Sequence, residues 1–147
     1  MELYIRKHNL SNIRIDAPTS DVAKYYEESE ILVMTSIFEG FPLVIAESMS
    51  RGCIPIVFDS FKSVHDIVDS GRNGMLIKPY NVHDYVNDLY KLVQNGNQRK
   101  LMSEAAQEVN YKFDIDTIGN NWITLFEKLY EDNIYNKSCT SSSDTPG

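Results

Sequence analysis

Two short apolar runs, Ile31-Leu32-Val33-Met34 and Pro55-Ile56-Val57-Phe58, flank a segment that opens at Pro42 and closes at Gly52. No other stretch narrows the possible folds so far. Each run is rich in branched residues and lacks polar alternation, as expected of strands buried on both faces of a parallel sheet. Pro42 suits the first position of a helix, and Gly52 suits the left-handed residue just past its end. The spacing therefore predicts a strand over Ile31 to Thr35, a loop, a helix from Pro42 to Arg51, and a second strand over Pro55 to Phe58. Gly40 lets a backbone approach closely where the loop meets the helix, and the N–H groups of Leu43 and Val44 are expected to be free for an anion. Glu39 falls in the loop and Glu47 on the second turn of the helix. Both carboxylates can look out of the carboxyl edge of the sheet, where open α/β sheets bind ligands.

The remaining chain supplies the expected flanking elements. Leu3, Tyr4 and Lys7 have helical spacing, Asn12 to Ile15 reads as a short strand, and Asp16 to Thr19 reads as a turn. Ser20 or Asp21 is placed to cap a helix over Val22 to Glu28, with Val22, Tyr25 and Tyr26 on its apolar side. In the central helix Leu43, Ala46, Met49 and Ser50 form one packing face, and Val44 and Ile45 imply burial on another. After Phe58 come a loop over Asp59 to Ser63, a short helix from Val64 to Asp69, a turn over Ser70 to Gly74, and a last strand over Met75 to Ile77 closed by Pro79. Val82, Val86, Leu89 and Val93 mark a helix from Val82 to Gln94. A second helix begins at Asn97, and a third at Asp114 or Asp116 with Ile118, Trp122, Leu125, Phe126 and Leu129. The tail over 136–147 is polar and is expected to be disordered, which leaves one folded domain over 1–135.

Composition excludes several classes. At 42% hydrophobic and 24% charged residues, the 147-residue chain is ordinary for a globular domain. No apolar run approaches the ~20 residues of a membrane helix, and the first residues do not resemble a secretory signal. The net charge of −7 argues against a nucleic-acid partner. Cys53 and Cys139 lack metal or disulfide spacing, so a reducing cytoplasm is expected. His8, His65 and His83 are isolated and carry no catalytic pattern. Tyr25, Tyr26, Tyr85, Tyr90, Trp122 and Phe126 are read as core, and Arg72 and Lys78 as solvated.

The central string is more specific than its two glutamates. Ser36, Glu39-Gly40-Phe41-Pro42-Leu43, Ala46-Glu47-Ser48-Met49, Gly52 and Pro55 together resemble the donor-site signature of glycosyltransferase family 4, the retaining group 1 enzymes of GT-B fold. Asp66-Ile67-Val68, Gly71, Asn73-Gly74 and Leu76-Ile77-Lys78-Pro79 resemble that family's next block, and the similarity runs from about Ile13 to Tyr130. The resemblance implies a Rossmann-like three-layer α/β domain with a parallel sheet, the C-terminal, nucleotide-sugar-binding half of such an enzyme. It implies that Glu39, the catalytic candidate, contacts the sugar. It further implies that Gly40, Phe41, Pro42 and Leu43 offer backbone groups to sugar and phosphate, although Pro42 has no N–H. Glu47 would accept both ribose hydroxyls, and the base would rest near Ile15 to Pro18. The donor would be a UDP- or GDP-type sugar, with no metal and no further cofactor. Where many members carry a glycine pair, this chain has Ser60-Phe61-Lys62-Ser63, so that contact is not carried over.

A doubly wound sheet of this kind has the strand order 3-2-1-4-5-6. By resemblance the chain supplies strands 3 to 6 and lacks the first two, the family's basic pair and the acceptor-binding N-terminal domain. Three expectations follow: a fragment of a longer enzyme, a chain completed by a complementary polypeptide, or a shortened domain that pairs Ile13 directly with Ile31. Hexosyl transfer to a saccharide or lipid-linked acceptor is the expected activity of the full enzyme, in polysaccharide or glycoconjugate biosynthesis. Any membrane contact would be peripheral, and this chain alone is expected to be inactive. The alternative is a non-catalytic nucleotide-sugar-binding or partner-completing module.

Overall fold

A computed structural model describes the backbone of residues 1–140 and the side-chain surroundings of residues 1–133. Its centre is a parallel sheet of three strands in the order β1 (Ile31–Met34), β2 (Ile54–Phe58), β3 (Met75–Ile77). Ile31 pairs with Ile54 and Met34 with Val57, while Ile56 pairs with Met75 and Phe58 with Ile77. Every residue of β2 is buried, as two covered faces require. Pro55, which donates no ladder hydrogen bond, lies before β3 begins. Gly74 leaves room for the Pro55 ring, because a Cβ there would come within 2.7 Å of Pro55 Cγ.

Helix α1 is Glu2–Lys7, α2 Val22–Glu27, α3 Leu43–Ser50, α4 Val82–Gln94, α5 Gly96–Ala106, α6 Val109–Lys112 and α7 Ile115–Thr140, with a 3-10 turn at Lys62–Asp66. Strand alternation sends Val57 to one face, against Ile45 and Met49 of α3, Phe61, Val64, Ile67 and Val109. Ile56 and Phe58 face the other way, against Tyr85 of α4 and Ile77. Ile54 packs with Leu92 and Met102. The result is the expected three-layer α/β arrangement with a parallel sheet.

Several expected elements differ. Ile13 to Ile15 is not a strand; its isoleucines are about half exposed and Arg14 bonds only locally, to Asp16 at 2.9 Å. The sheet therefore has three strands among the described residues, and the direct pairing of Ile13 with Ile31 does not occur. Three residues supply too few hydrogen bonds to offset their ordering entropy without a neighbouring strand. The outer edge of β1 is consequently open, with Val33 half exposed.

Burial within α3 falls on Ile45, Ser48 and Met49, while Leu43 is 61% exposed. In α4 it falls on Tyr85 and Leu92, with Leu89 packed behind them, whereas Val82, Val86 and Val93 face out. Of the aromatics expected in the core only Tyr85 is fully buried; Tyr90, Trp122 and Phe126 are all more than half exposed. Helix α7 starts at the Asp114 cap, whose carboxylate accepts from Thr117 N at 3.0 Å. It continues through Thr140, so its backbone runs into the first residues of the tail expected over 136–147. The rest of that expected tail, 141–147, lies outside the described residues.

Candidate active site

Parallel strands put the loops after β1, β2 and β3 at one edge of the sheet. The first loop, from Thr35 to Pro42, leads into α3. Pro42 adopts φ −80° and ψ 80°, an inverse γ-turn. That turn brings Leu43 N to Phe41 O at 2.9 Å. This corrects two expectations: Pro42 is the cap residue rather than the first helical residue, and the Leu43 amide is engaged. The amides of Gly40, Phe41 and Val44 donate to no backbone carbonyl outside the helix among the described residues. A Cβ built on Gly40 would meet nothing within 4 Å, so the loop is open on that side. Gly52 takes φ +87° at the end of α3, as its position predicts.

Glu39 is half-buried in this loop. Ser36 Oγ donates to its Oε1 at 2.6 Å, which leaves the other carboxylate oxygen unengaged by any described side chain. The loop after β2 is tied to the same segment. Ser60 Oγ donates to Ser36 O at 3.0 Å and Ser63 Oγ to Gly40 O at 2.6 Å. Phe41 packs edge-on against Phe113, with ring centroids 5.6 Å apart. At the same edge Asp59 Oδ1 holds His65 Nε2 at 2.7 Å. Lys62 and Lys78 are exposed there and make no ion pair among the described residues.

Glu47 lies apart from Glu39, on the exposed side of α3 facing α2. It lines a cleft of about 320 Å³ with Ser20, Tyr26 and Arg51, and Glu39 is not part of that cleft. Burial raises the Tyr26 phenol above its ordinary range, and the Glu47 carboxylate raises it further by its charge and by hydrogen bonding. Arg51 is held by Glu27 at 2.6 Å. Cys53, buried behind this cleft, bonds to Ser29 O at 3.0 Å, and burial pushes its thiol up. A cleft of about 310 Å³ opens at the opposite, amino edge of the sheet. Its arginines are already paired, Arg51 with Glu27 and Arg99 with Glu30 at 2.6 Å.

Sequence reasoning missed the serine ties and the shared cleft of Tyr26 and Glu47. Ser60 and Ser63 bond to carbonyls more than twenty residues away, which leaves no local signal. Tyr26 has helical spacing with apolar neighbours and was indistinguishable from a core residue. Arg72, read as solvated, is bonded to Glu108.

A three-layer domain with a parallel sheet and an open loop at its carboxyl edge has the architecture of the doubly wound α/β proteins. The chain belongs to the family of glycosyl transferases group 1, whose sequence pattern matches residues 2–109. It is 30% identical over 123 residues to the lipopolysaccharide 1,6-galactosyltransferase of Salmonella typhimurium, covering 82% of this chain and 31% of that protein. The Staphylococcus aureus TarM structure in complex with UDP is 27% identical with a TM-score of 0.78, covering 85% of this chain and 26% of that one. Anabaena HepE, solved with UDP-glucose, is 21% identical with a TM-score of 0.76, covering 86% and 36%. The fold thus matches GT-B glycosyltransferase C-terminal domains. The chain spans between 13% and 37% of the length of eight curated relatives it matches. Among the described residues no helix is long and apolar enough to cross a membrane.

Proposed function

We propose that this chain is the donor-binding domain of a retaining glycosyltransferase of family 4, which takes a hexosyl group from a UDP- or GDP-sugar. The observation that carries the reading is the Thr35 to Pro42 loop. It presents a half-buried carboxylate with one free oxygen and unpaired amides, at the edge of the sheet where this fold binds ligands. The family membership and the UDP and UDP-glucose complexes of the TarM and HepE structures support it.

In this reading Glu39 accepts from sugar hydroxyls, the amides of Gly40 and Phe41 meet the sugar, and that of Val44, inside α3, meets the phosphate. Glu47 accepts both ribose hydroxyls, since its two oxygens match a vicinal diol. An acceptor hydroxyl oxygen bonds to the anomeric carbon as the bond to the diphosphate oxygen breaks. The electron pair leaves with the nucleoside diphosphate, which takes the acceptor's proton. Amides and helix terminus stand in for a cation, so the reading involves no metal. The acceptor, a saccharide or lipid-linked glycan, binds a second domain or a complementary polypeptide. The full enzyme acts in the cytoplasm in polysaccharide or glycoconjugate synthesis.

Calorimetric titration of UDP and GDP into two alanine variants tests the roles. Charge-assisted hydrogen bonds contribute about 1.5–3 kcal/mol. Glu47→Ala should therefore weaken nucleotide binding by roughly ten- to a hundredfold, and Glu39→Ala should leave it nearly unchanged. Equal losses would mean that the roles are misassigned. No loss with Glu47→Ala would make the motif structural here. The 147-residue chain by itself should give no sugar transfer above a Glu39→Ala control, because in this reading the acceptor is held by a second domain or polypeptide. Turnover above that control would refute the two-part site.

A further inference from the structure

Apart from Phe41 against Phe113 and the buried Pro42, the Glu39 loop has little packing of its own. Phe38 is 85% exposed, and Ile37 and Phe41 are each more than a third exposed. Its position is set instead by hydroxyls, in a defined direction of donation. Ser60 spends its only proton on the Ser36 carbonyl. Ser36 spends its own on the Glu39 carboxylate, and Ser63 donates to the Gly40 carbonyl. The two donors from the second loop are themselves firmly seated. Phe61, between them, and Val64, just after, are buried in the core cluster that also holds Val57 of β2 and Ile45 of α3. The ties therefore pass the rigidity of the core to a loop that lacks it.

We propose that Ser36, Ser60 and Ser63 form a hydroxyl clamp of positioning residues that holds Glu39 and the Gly40 backbone in the geometry that receives the sugar of the donor. This rests on the donor-site reading above and adds a division of labour to it. The clamp acts on the sugar end only. Glu47 sits on α3, which is fixed by its own buried residues Ile45, Ser48 and Met49, so the nucleotide end does not depend on the clamp. The clamp thus sets how much tighter the site holds a nucleotide-sugar than the bare nucleotide. Ser60 and Ser63 need touch no ligand to do so.

The test titrates UDP-glucose and GDP-mannose, each against its bare nucleoside diphosphate, into the full chain by calorimetry. The proteins are wild type, Glu39→Ala, the double variant Ser60→Ala/Ser63→Ala and the conservative pair Ser60→Thr/Ser63→Thr, with melting temperatures and amide exchange at Glu39 to Phe41 measured in parallel. The alanine pair should lose about tenfold in affinity for the nucleotide-sugar while the bare nucleotide changes less than about twofold. The loop amides should exchange faster, and the threonine pair, which keeps both hydroxyls, should restore binding. A nucleotide-sugar preference that vanishes in Glu39→Ala yet survives in the alanine pair would overturn the clamp and leave the donor-site reading standing. Parallel loss of nucleotide and nucleotide-sugar, with a lowered melting temperature, would show a merely structural role and overturn it as well. If the wild type prefers neither nucleotide-sugar to its nucleotide, the donor-site reading itself fails, and the clamp with it.

Discussion

Strand β2 and helix α7 are both rich in apolar residues, yet they meet opposite fates. In β2 every side chain is buried between two helical layers. In α7 the apolar stripe Ile118, Trp122, Leu125, Phe126 and Leu129 has clean helical spacing, yet the exposure of these residues runs from 37% to 60%. Trp122 and Phe126 touch each other, with ring centroids 5.6 Å apart, and among the described residues neither packs against the buried clusters. A strand gains burial only from neighbours on both sides and both faces, so β2 cannot exist apart from the tertiary fold. A helix satisfies its backbone internally, so α7 keeps its shape without a partner. Apolar content alone therefore does not mark what stabilises this protein; the Glu39 loop, tied through serine hydroxyls, falls between the two cases.

The comparison is sharpest at Ile45, which is fully buried under β2. Ile45→Ala should cost about 2–5 kcal/mol, read from urea unfolding, and a cost near zero would mean that the region around β2 is not the stabilising core. Tyr85 is the next step down. Its hydroxyl accepts from Met34 N at 3.0 Å and donates to the carbonyl of Ile56, joining β1 to β2. Tyr85→Phe leaves those groups without their partner and should cost about 1–3 kcal/mol.

The same residue gives the comparison a pH dependence. Burial pushes the Tyr85 phenol from 10.0 up to about 12, with the Met34 bond opposing. A folded value above the unfolded one means that the contribution is fully present below pH 10 and is lost as pH rises through about 12. Wild-type unfolding free energy should carry this fall, and Tyr85→Phe should lack it. Identical profiles for the two proteins would show that the phenol is not buried in the core. The smallest effect belongs to α7. Phe126→Ala should change the unfolding free energy by no more than ~0.5 kcal/mol, despite removing a larger apolar side chain than Ile45→Ala does. A loss comparable to that of Ile45 would show α7 to be part of the same cooperative core.

Much of the backbone around the Glu39 loop was legible before the structure. The Pro42 to Gly52 interval predicted a helix between two parallel strands, and the structure has α3 there, with Gly52 at φ +87°. Local backbone chemistry carries such signals because proline and glycine act on their own residue. The Leu43 amide was misjudged for a related reason. The γ-turn at Pro42 depends on ψ, which the proline ring does not restrict. The helix faces also escaped the pattern. In α4 the valines at helical spacing look outward, and the buried stripe is Tyr85, Leu89 and Leu92. Periodicity reports that a face exists, but the choice between two neighbouring stripes went to the one whose tyrosine reaches carbonyls of the sheet.

The amino-acid sequence by itself therefore determined the order of elements from Ile31 to Gln94, the parallel sense of the sheet, and the loop that carries Glu39. These depend on short-range periodicity, on turn residues and on the rule that one short helix between two strands makes a parallel pair. Only the tertiary structure decided that Ile13 to Ile15 stays out of the sheet, that α7 lies exposed, and that Ser60 and Ser63 secure the Glu39 loop. Each of those outcomes turns on whether a partner distant in sequence is at hand. A strand without a neighbour does not form, an apolar stripe without a facing surface stays wet, and a serine hydroxyl acquires a role only from the carbonyl placed within its reach.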